Sequence, residues 1–237
     1  MHAVRGSLAD VDRDRKATRR LAELVEETGR PAVRAWRPPR HVAFGRRDSS
    51  TDGYTRARQA ALECGYDPVE RRVGGRAVAY TGDTVAFAHA VPTDSARSGI
   101  QERYDRATEL LEGALGGLGA TVRRGEPDRS FCPGAHSLQG DGKIAGIAQR
   151  VERDVAIVGG CVVTIRRDRR RIAEVLDRIY EALGVEFDPG TVGSVADAGG
   201  TTDPKAVVGT IEEAFIGEEA ETTHASDLLS WRQLRDP

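Results

Sequence analysis

The sequence predicts an α+β fold, a mixed and mostly antiparallel sheet flanked by helices. Two observations carry this. Strand-like apolar stretches come in neighbouring groups, 77–80 with 84–91 and 143–151 with 155–165, while stretches of helical periodicity stand between the groups. The regular strand–helix alternation of a Rossmann or TIM arrangement is missing. No internal repeat and no shift in composition divides the chain. It therefore reads as one catalytic-size domain over 1–237, with a core over about 20–216 and a polar C-terminal tail over 217–237.

In chain order, 12–28 has helical spacing, with Leu21, Leu24 and Val25 on one side and Gly29 as a stop signal. Two short extended stretches, 32–36 and 41–44, follow Pro31, with Pro38 and Pro39 between them as a turn. A second helix is predicted over 52–63, then a strand over 69–72 running into Gly74-Gly75. The stretches 77–80 and 84–91 read as a hairpin around Gly82-Asp83. A third helix over 102–118 precedes a strand at 121–124 and a loop rich in Gly, Pro and Asp. Residues 137–138, 143–151 and 155–165 then suggest a strand, a turn and paired antiparallel strands. The clearest helix is 168–183, whose Ile172, Val175, Leu176, Ile179, Tyr180 and Leu183 fall on one face. The low-complexity stretch 188–204 reads as a surface loop, 206–216 as a helix, and 227–234 as a last short one.

Composition narrows the function. Hydrophobic residues make up 39% and charged residues 30%, a soluble globular profile. No apolar run approaches the roughly 18–20 residues of a membrane helix, and 1–20 is charged and unlike a secretion signal. A cytoplasmic protein without membrane contact is expected. The net charge of −2 argues against a general nucleic-acid binder. Lys16, Lys143 and Lys205 are the only lysines; every other basic residue is arginine. A GC-rich or salt-adapted genome explains such a bias, but a lysine kept within a glycine-rich motif offers a compact charge that arginine does not.

Cys64, Cys132 and Cys161 form an odd set without metal-like spacing, so neither a disulfide framework nor a metal site is expected. A free cysteine is most often a small buried hydrophobe. Cys161, inside the apolar run, and Cys64, before Gly65 at a helix end, fit that pattern. Cys132 does not, because Pro133-Gly134 places it on a turn that can expose its sulfur. A nucleophilic cysteine acts as thiolate, which a nearby cation favours. Lys143 is one source of that cation, or a proton shuttle between thiol and incoming amine. His136 is the competing base, although its spacing from Cys132 implies no pairing and a surface histidine is the simpler reading. The other motif is Arg71-Arg72-Val73-Gly74-Gly75-Arg76-Ala77-Val78. Its glycines allow a tight turn with backbone N–H groups free for negative oxygens, and its arginines add charge-assisted donors. A plain loop with solvated arginines has the same composition.

Together and in this order, these segments resemble the lipoate–protein ligase and octanoyltransferase superfamily, whose catalytic domain is shared with biotin–protein ligases. Ala35-Trp36-Arg37-Pro38-Pro39 with Phe44-Gly45-Arg46 is similar to the family's opening hairpin. Residues 71–78 are similar to its acyl-binding loop, and Gly142-Lys143-Ile144-Ala145-Gly146-Ile147-Ala148-Gln149-Arg150 to its lysine strand. Ser130-Phe131-Cys132-Pro133-Gly134 resembles the cysteine region of the amidotransferase branch. The resemblance implies Cys132 as acyl-thioester nucleophile and Lys143 at the acyl carbonyl or the phosphate side. It implies Arg71, Arg72, Gly74, Gly75, Arg76, Ala77 and Gly146 as the acyl site. Arg76 departs from the small residue usual there and could narrow the pocket. Tyr80-Thr81, Ala86 and Ala88 depart from the polar residues of the ligase branch.

What the resemblance implies is transfer of an octanoyl or lipoyl group through Cys132 to a lysine of a lipoyl-domain protein, with no cofactor. The glycine cleavage H protein or a 2-oxoacid dehydrogenase E2 would be acceptor or donor, and an acyl carrier protein another donor. The alternatives are a lipoate ligase using ATP and Mg2+, with Cys132 incidental, and a non-catalytic subunit that binds lipoyl domains. The run Arg166-Arg167-Asp168-Arg169-Arg170-Arg171 reads as a solvated face, or as a dock for an acidic acceptor.

Overall fold

A computed structural model describes residues 1–71, 74–95, 98–152, 154–217 and 219–230. The elements in order are β1 (His2–Arg5), α1 (Val11–Thr28), β2 (Ala32–Trp36), β3 (His41–Phe44), α2 (Arg46–Ser49), α3 (Tyr54–Glu63), β4 (Asp67–Glu70), β5 (Val78–Tyr80), β6 (Val85–Pro92) and α4 (Ile100–Gly117). Then come β7 (Arg123–Arg124), β8 (Ser137–Gly140), β9 (Gly142–Glu152), β10 (Val155–Val162), α5 (Arg166–Leu183), a 3-10 turn (Pro189–Thr191), α6 (Pro204–Ile216), β11 (Glu221–His224) and α7 (Ala225–Ser230).

An eight-stranded sheet runs β11-β1-β2-β6-β10-β9-β8-β7, and a three-stranded sheet runs β4-β3-β5. Among the described strands, parallel pairs join β1 to β2 and β11 and β3 to β4, and the other pairs are antiparallel, so the mixed, mostly antiparallel α+β expectation holds. The long helices follow their sequence signals. In α1 the Asp10 side chain caps the Arg13 N–H and Gly29 ends the helix in the left-handed region, with Leu21, Leu24 and Val25 buried. In α5 the stripe from Ile172 to Leu183 is buried as its spacing requires.

Two expected hairpins are corrected. The stretches 77–80 and 84–91 do not pair: β5 pairs with β3 in the small sheet, and β6 lies between β2 and β10 in the large one. The buried turn between them closes on itself. Thr81 N–H donates to Thr84 Oγ1 at 3.2 Å, the two hydroxyls lie 3.1 Å apart, and Gly82 takes a φ of +96°. Local bonding of this kind bends the chain without committing both arms to one sheet. The opening pair β2 and β3 is likewise split between sheets across Pro38 and Pro39.

Three further readings change. The N-terminal stretch holds β1, with His2, Ala3 and Val4 buried. In the polar tail, β11 pairs with β1, and α7 buries Ala225 and Leu228. The stretch 188–204 is not a surface loop: Val192, Ser194, Val195 and Ala196 are buried, and Gly193 and Val195 donate to the Lys143 and Val163 carbonyls at 2.9 Å. Its few apolar residues are scattered among small polar ones, which hid their burial. No helix among the described residues is long and apolar enough to cross a membrane.

The core has three parts. One lies under α4 and α6, another under α1 on the opposite face of the large sheet, and the third between the small sheet, α3 and α5. Tyr80 packs against the last two, and Cys132 and Cys161 belong to the third, so the cysteines sit where the two sheets approach. On β6, His89 packs on the Phe215 ring at 5.2 Å, and burial, then the Arg106 charge, pushes its pKa down to about 4. A histidine depressed on folding favours the native state when neutral. Its contribution is complete above pH 6.5 and is lost as pH falls toward 4. The stability of the protein relative to His89→Leu is therefore expected to fall by about 3 kcal/mol across that window, measured by urea unfolding at each pH.

Candidate active site

Cys132 lies in the loop between β7 and β8, after the buried Ser130 and Phe131 and before the exposed Pro133 and Gly134. Its φ is +42° and that of Arg129 is +55°, in a left-handed region that costs a non-glycine residue about 1–3 kcal/mol. All three of its polar atoms are held. Its N–H donates to the Tyr180 hydroxyl at 2.6 Å, and its carbonyl accepts from Lys143 Nζ at 2.9 Å. Its Sγ accepts from Arg71 Nη2 at 3.2 Å and from the Arg76 N–H at 3.4 Å.

The residues on the sulfur come from the glycine-rich loop. Arg71 N–H donates to the Phe44 carbonyl at 2.9 Å, which carries the pairing of β4 with β3 into the start of the loop. Its guanidinium also donates to the Arg76 carbonyl at 2.7 Å, folding the loop back on itself. Burial opposes the charge on Arg71, but Cys132 and Tyr80 outweigh it and raise its pKa. Gly75, at a φ of +90°, is the pivot. A Cβ there would lie 2.8 Å from Cys132 Sγ and 2.9 Å from Arg71 Nη2, while a Cβ on Gly45 would strike the Gly75 carbonyl. Gly75→Ala is expected to cost about 1–3 kcal/mol in urea unfolding and to slow alkylation of Cys132 by iodoacetamide, because the sulfur and the guanidinium must separate.

Arg76 turns its side chain away from the sulfur to pair with Asp48 at 3.2 Å, so it clamps the loop onto α2. Asp48 is fully buried and also accepts from the Gly45 N–H at 3.1 Å; burial pushes its carboxyl above the usual range against both donors. Ala77 is buried, and its carbonyl accepts from Tyr180 at 3.2 Å. Gly74 stands exposed with open space about it. Arg72 lies outside the described residues.

Lys143 projects from β9 and is 1% exposed. Its ammonium donates to Glu126 Oε2 at 2.6 Å and to the Phe131 and Cys132 carbonyls at 3.0 and 2.9 Å. These three bonds use the three donors of an ammonium. The cation on the sulfur is thus Arg71, while Lys143 fastens the nucleophile loop from beneath. Glu126 completes the clamp by accepting from the Gly134 N–H and the Ser137 hydroxyl, each at 2.8 Å. Gly146 lies beside the Lys143 stem, where a Cβ would sit 3.5 Å from Lys143 Cε, an ordinary packing contact.

His136 stacks on Tyr104 with centroids 3.7 Å apart, a packing role. Cys161 is buried, and burial, then the charge of Cys132, pushes its thiol up to about 11. Cys64 accepts from Arg178 at 3.2 Å. In the arginine run, Arg166 and Arg169 pair with Asp197 and Arg167 with Asp83, tying α5 to neighbouring loops. Among the described residues no group of three or more His, Cys, Asp or Glu side chains could hold a metal. Sequence reasoning missed Glu126, Asp48 and Tyr180. Glu126 and Asp48 lie outside both motifs, and Tyr180 read as one more member of an apolar stripe.

Residues 15–216 match the family model of the lipoyl protein ligase A/B catalytic domain. An octanoyl-[GcvH]:protein N-octanoyltransferase of Geobacillus kaustophilus is 30% identical over 154 residues, 63% of this chain and 53% of that protein. A protein of the same name from Exiguobacterium sp. is 29% identical over 168 residues, 68% of this chain and 57% of the other. The chain thus spans little more than half the length of these two curated relatives. A crystal structure of lipoate-protein ligase A bound with ATP has a TM-score of 0.72 at 18% identity, covering 99% of this chain and 94% of that one. That likeness establishes the fold.

Proposed function

Because the chain belongs to the lipoyl protein ligase A/B catalytic-domain family, we propose that it is an acyltransferase that carries an octanoyl or lipoyl group on Cys132 and delivers it to a lysine of a lipoyl-domain protein. One observation carries this reading: Cys132 is held in a left-handed conformation at its N, O and Sγ, with a guanidinium on the sulfur. Sulfur is the nucleophile of thioester chemistry, and here two N–H donors fix where it points. A cysteine incidental to the chemistry has no need of such an arrangement.

The Cys132 sulfur attacks the acyl carbonyl of the donor, a carrier thioester or an octanoylated lipoyl domain. The carbon–sulfur bond to Cys132 forms, the donor's own bond to the acyl carbon breaks, and the thiol proton leaves with the donor thiol or amine. The neutral lysine amine of the acceptor then attacks the thioester, the carbon–sulfur bond breaks, the amide forms and the amine proton returns to the Cys132 sulfur. The Arg76 N–H and the Arg71 guanidinium, which donate to sulfur at 3.4 and 3.2 Å, are the donors best placed to meet the oxyanion. Lys143 and Glu126 keep the loop in register. No nucleotide enters this route. The curated relatives name GcvH, so an H protein is the first donor or acceptor to try, with E2 lipoyl domains and acyl carrier protein after it.

The test is octanoyl transfer to a lipoyl-domain protein, followed by the mass of the acceptor. An octanoylated acceptor is expected without ATP or Mg2+. Modification only when ATP, Mg2+ and the free acid are all added would replace this reading with an ATP-dependent ligase. Binding of the acceptor with no modification under either condition would leave a non-catalytic subunit.

A further inference from the structure

Of the three tethers on Cys132, the one on its backbone nitrogen comes from α5, an element that neither motif contains. The Tyr180 phenol accepts from the Cys132 N–H at 2.6 Å and donates to the Ala77 carbonyl at 3.2 Å. One oxygen thus joins the nucleophile loop to the glycine-rich loop, using its acceptor and donor capacity in opposite directions. The ring is 1% exposed and packs on Phe187 with centroids 5.0 Å apart. Burial holds the phenol well above its ordinary pKa, so it keeps the proton that it gives to Ala77.

The other tethers on Cys132 act on the far side of its N–Cα bond, Lys143 on the carbonyl and Arg71 and Arg76 on the sulfur. Tyr180 at the Cys132 N–H and Lys143 at the Phe131 carbonyl hold the two edges of the preceding peptide, so rotation about the N–Cα bond is fixed from both ends. That rotation sets the unusual φ of +42°, and with it the direction of the sulfur. Resting on the thioester reading above, we infer that Tyr180 is a positioning residue for acylation: its hydroxyl holds the Cys132 backbone so that the sulfur faces the carbonyl brought by the glycine-rich loop.

Tyr180→Phe removes the hydroxyl and keeps the ring. With an octanoyl thioester donor, the maximum rate of Cys132 acylation is expected to fall about 10- to 100-fold, with the half-saturating donor concentration within twofold of the parent. Alkylation of Cys132 by iodoacetamide, a small reagent indifferent to approach, is expected to stay within about threefold. Phe187→Leu serves as the packing control; it should lower Tm and leave the maximum acylation rate alone. An unchanged maximum rate in Tyr180→Phe, a loss confined to the half-saturating concentration, or alkylation falling as far as acylation would overturn the inference. So would Phe187→Leu reproducing the acylation defect. If the parent protein forms no thioester while iodoacetamide still labels Cys132, the acyl-transfer reading itself fails, and this one with it.

Discussion

Cys132→Ala is expected to lower the rate of octanoyl transfer by at least about 10,000-fold, since it removes the sulfur that forms the covalent intermediate. The fold should survive the change. Phe131 stays buried, and the Tyr180 and Lys143 bonds go to backbone atoms that alanine keeps. A second replacement separates chemistry from conformation. Cys132→Gly removes the same sulfur but places at φ +42° the one residue that adopts it freely. Glycine there should be equally inactive yet more stable than alanine by about 1 kcal/mol in urea unfolding. Backbone strain at position 132 has this signature: of two variants that both lack the sulfur, the glycine one is the steadier. Equal stability of the two variants would remove the case for strain at this position.

Lys143→Met is expected to be the most damaging change outside the sulfur, in stability and activity together. It leaves the Phe131 and Cys132 carbonyls without their donor and the Glu126 carboxylate without its cation. Removing one partner of a buried pair costs about 3–5 kcal/mol. Urea unfolding should register that loss, and acylation should slow about 100-fold as the loop drifts. Glu126→Gln, which keeps the Ser137 and Gly134 contacts in reach, should cost less on both measures. If Lys143 acted as the proton shuttle, the reverse would be found, a lost rate with stability intact.

Much of the scaffold was legible because periodicity reports burial. The stripe on α5 and the apolar runs of β9 and β10 need only neighbouring residues to be recognised. Sheet membership is different. Whether β5 and β6 form a hairpin depends on bonds from Ala43 and Phe87 to distant strands, while the turn 81–84 looks the same in either case. The four-residue strands β1 and β11 are too short to show a period, and their pairing joins the two ends of the chain.

The same division holds at the site. Cys132 stood out by its Pro-Gly turn and Lys143 by its rarity. That Arg71 rather than Lys143 reaches the sulfur follows from the fold-back at Gly75, a consequence of φ that composition does not carry. Glu126 and Tyr180 act through single hydrogen bonds made across the fold, and nothing in the flanking residues announces them.

The central claim is a thioester on one sulfur, and intact mass spectrometry tests it most directly. Incubated with an octanoyl thioester donor and no ATP, the protein is predicted to gain one octanoyl group that hydroxylamine removes and that Cys132→Ala never acquires. No adduct, an adduct that resists hydroxylamine, or one that persists in Cys132→Ala would contradict the account.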